Sequence, residues 1–87
     1  MAIGVIQMYV DGNLAKLLRD KYGNSAGTCL FMFFEEWRNY GPEYIMANYP
    51  PRTYYYYINR LIDVGLAVKE GYGTYRIAPG WEHPVQA

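Results

Sequence analysis

Gly41-Pro42, Pro50-Pro51 and Gly65 interrupt the middle of this chain, and no continuous helix passes comfortably through any of them. Between the breaks, "PEYIMANYPP" fits a helix of about one and a half turns, with Pro42 at its start and "NYPP" as its stop. The longer piece, "PRTYYYYINRLIDVG", reads as a full helix with Pro51 in its first turn and Gly65 at its end. After Gly65 the pattern changes. "LAVKEGYGTYRIAP" reads as a β-hairpin, with strands at 66–69 and 74–77 around the glycine-bearing turn "EGYG".

Upstream, "SAGTCLFMFFEEWRNYG" predicts a helix capped by Ser25 or Thr28 and ended by Gly41 and Pro42. Leu30, Phe33, Phe34 and Trp37 share one face of it, whereas Phe31 and Met32 fall outside that stripe. A helix apolar around most of its girth is buried on more than one side, so the extra face should meet the N-terminal segment or another subunit. Ahead of it, Asn13 is the expected cap of a helix through "LAKLLRDKYG". There Leu14, Leu17, Leu18 and Tyr22 form the apolar stripe, and Gly23 stands at the exit. Residues 3–10, "IGVIQMYV", are rich in β-branched side chains and precede the turn-former "DGN". They read as a strand or extended arm, with a short helix as the alternative.

With 87 residues, the chain has room for one modest core, and its 52% hydrophobic content is enough to fill one. The expected organisation is one domain over 1–87: an arm over 1–12, a helical part over 13–65, a hairpin over 66–78 and an irregular tail over 79–87. Eight basic residues balance eight acidic ones, so any case for a polyanion partner rests on where the charges sit. A lone cysteine, Cys29, allows no intrachain disulfide and no thiolate metal cluster, which points to a reducing, cytoplasmic setting. No apolar run approaches about 18 residues, so no membrane span is expected. The opening "MAIGVIQMYVDG" lacks the basic start of a secretion signal.

Four consecutive tyrosines, 54–57, cannot all point one way on a helix. At about 100° per residue, Tyr54, Tyr57, Ile58 and Leu61 gather on one side. Arg52, Tyr55, Tyr56 and Asn59 turn to the other, with Arg60 at the edge and Asp63 a turn later. Two rings therefore hold the helix down, and two are presented.

Helix, short helix, tight turn, helix and glycine-tipped hairpin follow one another in the order of a winged helix-turn-helix domain. "RTYYYYINRLIDVGLAVKEGYGTYRI" resembles the recognition helix and wing of that family. Ile58 and Leu61 match its helix core, "DVGLAV" the exit into the first wing strand, and "GYG" the wing tip. The resemblance spans roughly residues 27–78. In size and tyrosine content the chain is similar to small regulators from hyperthermophilic archaea and their viruses and plasmids. It departs from the pattern in carrying "NYPP" before the recognition helix, and tyrosines where Ser, Thr, Arg and Gln are usual.

The resemblance implies an α+β fold, mostly α, with three or four helices and a C-terminal wing. It also implies sequence-specific binding of double-stranded DNA, by a homodimer acting as a transcriptional regulator. The helix 51–64 would enter the major groove, presenting Arg52, Thr53, Tyr55, Tyr56 and Asn59, with Arg60 on a phosphate. Asn and Arg can bond adenine and guanine bidentately, and tyrosine offers a hydroxyl to phosphates and a ring to thymine methyls. The wing 66–77 would place Lys69, Tyr72, Thr74 and Arg76 along the backbone or minor groove. Over residues 52–76, Arg52, Arg60, Lys69 and Arg76 outnumber Asp63 and Glu70 by two. Val5, Met8, Phe31 and Met32 are the expected subunit contacts.

A different class of function is a winged-helix module that docks on a protein through its tyrosine-rich helix. Neutral net charge and clustered aromatics favour it, since interfaces are enriched in tyrosine. Replication initiation or packaging of a mobile element would use the same fold. Catalysis is not expected. His83 lies in the tail without ligand-spaced partners, Cys29 sits in the most apolar helix, and adjacent Glu35 and Glu36 diverge on a helix. "GYG" is no phosphate loop. No cofactor, metal or small-molecule ligand is expected.

Overall fold

A computed structural model describes residues 3–82, with side chains from residue 13 onward. The elements run α1 (Ile3–Tyr22), α2 (Asn24–Tyr40), α3 (Pro42–Asn48), α4 (Pro51–Asp63), β1 (Ala67–Gly71) and β2 (Thr74–Ile77). The chain is a small α+β domain, mostly helical, with four helices among its described residues and a two-stranded antiparallel hairpin at the C-terminal end.

The first helix corrects the sequence reading. Residues 3–10 are helical, not a strand or arm, and α1 runs through Asp11-Gly12-Asn13 without a break, so Asn13 caps nothing. The strand preference of β-branched residues depends on context, and an interior glycine costs about 1 kcal/mol against alanine. From residue 13 onward α1 packs against α2. Leu14 and Leu18 are buried there, while Leu17, expected on the same stripe, is half exposed.

Gly23, at φ 97°, reverses the chain directly into α2, so neither Ser25 nor Thr28 is needed as a cap and neither serves as one. The two helices then approach closely at Gly27. A Cβ on Gly27 would lie 2.4 Å from the Arg19 Cα and 2.5 Å from the Leu18 carbonyl oxygen. Glycine is what lets these backbones touch.

Helix α2 is the central element. Leu30, Phe33, Phe34 and Trp37 are buried, as their spacing requires. Phe31 is partly buried against the chain's own core, whereas Met32 is 54% exposed. Gly41, at φ 89°, turns the chain into α3, whose Ile45 is buried. From the α3–α4 turn, the Tyr49 hydroxyl donates to Glu36 Oε1 at 2.6 Å and ties that turn to α2.

Helix α4 starts at Pro51 and buries Tyr54, Ile58 and Leu61. It ends in a Schellman motif: the Leu66 N–H bonds the Leu61 carbonyl at 2.8 Å and the Gly65 N–H bonds the Ile62 carbonyl at 3.0 Å. Gly65 takes the left-handed position at φ 83°, and Leu66 folds back beside Leu61 in the core. That cap aims the chain into β1. The hairpin pairs Ala67 with Ile77, Val68 with Arg76 and Lys69 with Tyr75. An irregularity at Glu70 then sets Gly71 opposite Thr74, so Tyr72 and Gly73 form the tip.

Alanine at an interior helical glycine normally stabilises by up to about 1 kcal/mol. Gly27→Ala should do the opposite and lower the unfolding free energy by about 1–3 kcal/mol, read as a lower urea midpoint. A raised midpoint would contradict the close α1–α2 crossing.

Candidate functional site

The outer face of α4 is built by what its inner face buries. Tyr54 is 7% exposed, and Tyr57 packs beside it against Phe33. The next two rings, Tyr55 and Tyr56, are therefore turned outward, 43% and 48% exposed. Arg52 and Asn59 are exposed on the same side, and Thr53 is half buried at its border. Tyr55 leans toward the hairpin, its ring 6.1 Å from that of Tyr75 on β2. That contact joins the face of α4 to the side of the hairpin that carries Tyr75 and Lys69, while Arg76, paired with Val68, turns to the other side beside Trp37 and Pro42.

On the hairpin, Lys69, Thr74 and Arg76 are exposed, and Tyr72 at the tip is fully so. Arg76 is not an open cation: its Nε donates to Glu70 Oε2 across the hairpin. Arg52 and Lys69 make no ion pair among the described residues. Arg60 is half buried, its guanidinium 4.1 Å from the Tyr56 ring centroid and 5.1 Å from that of Tyr22 on α1. The surplus of positive charge expected over residues 52–76 thus sits mainly on Arg52, Arg60 and Lys69.

Three features had no clear signal in the sequence. Tyr22 reaches the edge of the α4 face, which requires α1 and α4 to be neighbours. Met46, Tyr49, Pro51, Tyr54 and Tyr55 line a cavity of about 150 Å³ between α3 and the start of α4. Tyr40 and Tyr44 meet in a tilted pair with ring centroids 4.8 Å apart, and both are exposed, as is Met46.

Phenol hydroxyls, one amide and guanidinium and ammonium groups can bind phosphates and base or peptide edges. Of the residues weighed for catalysis, Glu35, Glu36 and Cys29 lie among the described residues. Glu35 pairs with Arg38 and Glu36 accepts from Tyr49, so each carboxylate is a structural tie. Cys29, expected in apolar surroundings, is exposed. His83, like the other residues of the tail beyond 82, lies outside the described residues. Among the described residues, no group of three or more His, Cys, Asp or Glu is placed to hold a metal. None of their helices is long and apolar enough to cross a membrane.

No protein-family model, curated protein or solved structure matches this chain.

Several phenols are held in the neutral form. Burial, then the hydrogen bond to Glu36 and that carboxylate's charge, push Tyr49 far above the ordinary phenol value. Burial is also the main cause at Tyr54, Tyr57 and Tyr22. The folded chain therefore holds these protons more tightly than the unfolded one. The stability this carries is complete below the ordinary value of 10.0 and is lost as pH rises through the raised folded values. Urea midpoints should fall steadily above about pH 10. Tyr49→Phe should show a shallower fall, and an equally steep one would mean that the Tyr49–Glu36 contact does not contribute.

Proposed function

We propose that this chain is a winged helix-turn-helix protein that binds double-stranded DNA as a homodimer and regulates transcription. One observation carries the reading: the Tyr55–Tyr75 contact sets the outer face of α4 against the side of the hairpin that bears Lys69. In such a domain α4 is the recognition helix and the hairpin the wing. Arg52, Tyr55, Tyr56 and Asn59 face the major groove, with Thr53 at the border of the contact. Asn59 and Arg52 read base edges, while the tyrosines give hydroxyls to phosphates and ring faces to thymine methyls. Lys69, Tyr72 and Thr74 brace the backbone beside the groove, and Arg76 joins them where a phosphate displaces Glu70.

A symmetric dimer would bind inverted half-sites about 34 Å apart, one turn of the duplex. Of the two expected subunit-contact residues whose side chains are described, Met32 is exposed. Phe31 belongs to the chain's own core more than to such a contact. Val5 and Met8 lie in the part of α1 whose side chains fall outside the described residues.

A second reading, docking on a protein, is favoured by the Arg76–Glu70 pair, which lowers the surface charge, and by the exposed Tyr40, Tyr44 and Met46. Salt separates the two. Phosphate binding releases counterions and weakens steeply with salt, whereas tyrosine-mediated docking does not.

Fluorescence anisotropy with a pool of labelled duplexes, at low and near-physiological salt, should show binding that falls steeply with salt. Arg52→Glu should weaken it by at least about 1–3 kcal/mol, the cost of a lost bidentate base contact. Equal affinity in that variant removes α4 from the contact. No binding at low salt removes DNA altogether.

A further inference from the structure

Arg60 differs from the ion-paired cations among the described residues. Lys16 meets Asp20, Arg38 meets Glu35 and Arg76 meets Glu70. Arg60 has Asp63 one turn further along the same helix, yet no ion pair joins them, and its guanidinium lies over two rings instead. Its Nε is buried without a hydrogen-bond partner. The residue as a whole is only half buried, and Nε is the guanidinium nitrogen that is sealed off without a partner. The stem is therefore clamped while the end of the fork remains open to a ligand.

The clamp comes from two elements. Tyr56 belongs to α4 and is itself part of the outer face, while Tyr22 is the last residue of α1. The Tyr22 hydroxyl is buried without a partner, so its ring, not its hydroxyl, is what Arg60 uses. A second cation borders the same ring, with Lys21 Nζ 5.7 Å from its centroid. A planar guanidinium stacked on aromatic faces is already ordered, and its free N–H groups suit two oxygens of one phosphate. A lone side chain would have to be ordered on binding.

We propose that Tyr22, from outside the helix-turn-helix unit, is a positioning residue that holds Arg60 as a phosphate clamp at the edge of α4. The clamp grips a backbone phosphate flanking the groove that α4 occupies. This rests on the DNA reading above. It extends the contact surface to the end of α1, which then touches the duplex backbone through Arg60 and Lys21.

The test is the slope of log affinity against log salt, on a duplex selected from the pool. Arg60→Met keeps an apolar stem between the rings and removes the charge, so the slope should shrink by about one, the signature of one lost phosphate contact. Tyr22→Leu removes no charge, yet it should shrink the slope in the same way, because a freed Arg60 no longer holds the phosphate. Tyr22→Phe should bind like the parent, and the double variant Tyr22→Leu/Arg60→Met should lose no more slope than either alone. A merely structural role for Tyr22 would lower the urea midpoint and leave the slope untouched, which would overturn the proposal. An unchanged slope in Arg60→Met would also overturn it, while DNA binding by the parent still stands. If the parent binds no duplex at low salt, the DNA reading itself falls, and the clamp with it.

Discussion

The ring of Phe33 is the fixed point of this structure. It lies fully buried on α2 and meets Trp37, Tyr49, Tyr54 and Tyr57, with ring centroids 5.0–6.3 Å apart. Through those contacts one side chain fastens α2, the α3–α4 turn and the inner side of α4. Aromatic pairs in tilted or edge-on arrangements add about 0.5–1.5 kcal/mol each beyond the area they bury. The consequence for α4 is geometric. Once Tyr54 and Tyr57 are bound to Phe33, helical rotation leaves Tyr55 and Tyr56 nowhere to go but outward. The tyrosine block is thus half core and half surface, and the core half orients the surface half.

The hairpin depends on the same anchoring. Leu61 and Leu66 share the core, and the Schellman cap between them sets the direction in which β1 leaves α4. Tyr55 and Tyr75 then close the gap between helix and hairpin. A candidate contact surface therefore rests on rigid elements, not on a loose loop. In electrostatic terms it is economical. Glu70 and Asp63 restrain a small positive excess, so any hold on a polyanion depends on a few well-placed cations. That is why the ordering of Arg60 matters to the account.

Much of this was legible in the chain itself. The Gly41-Pro42, Pro50-Pro51 and Gly65 punctuation delimited α3, α4 and the hairpin, and the 3.6-residue period separated Tyr54 and Tyr57 from Tyr55 and Tyr56. What the sequence hid was whatever depends on distant neighbours. Residues 3–10 carry strand-like side chains, and Asp11-Gly12-Asn13 carries a turn signal, but both stretches belong to a helix whose later turns bury Leu14 and Leu18. The glycine that matters most to that packing, Gly27, looked like an ordinary residue near a helix start. The Arg76–Glu70 pair needed the register of the hairpin and its irregularity at Glu70. The Tyr22–Arg60 contact joins α1 to α4 across nearly half of the described chain, and no local pattern announces it.

The account's central claim is that one surface, the outer face of α4 continued by the hairpin, meets DNA. Titrating an isotopically labelled sample with a selected duplex and following its backbone amide shifts tests this most directly. The account predicts that the largest changes cluster at residues 52–60 and 69–76, with a further group at the end of α1 around Tyr22. Changes centred instead on Tyr40, Tyr44 and Met46 would contradict it, as would an unchanged spectrum.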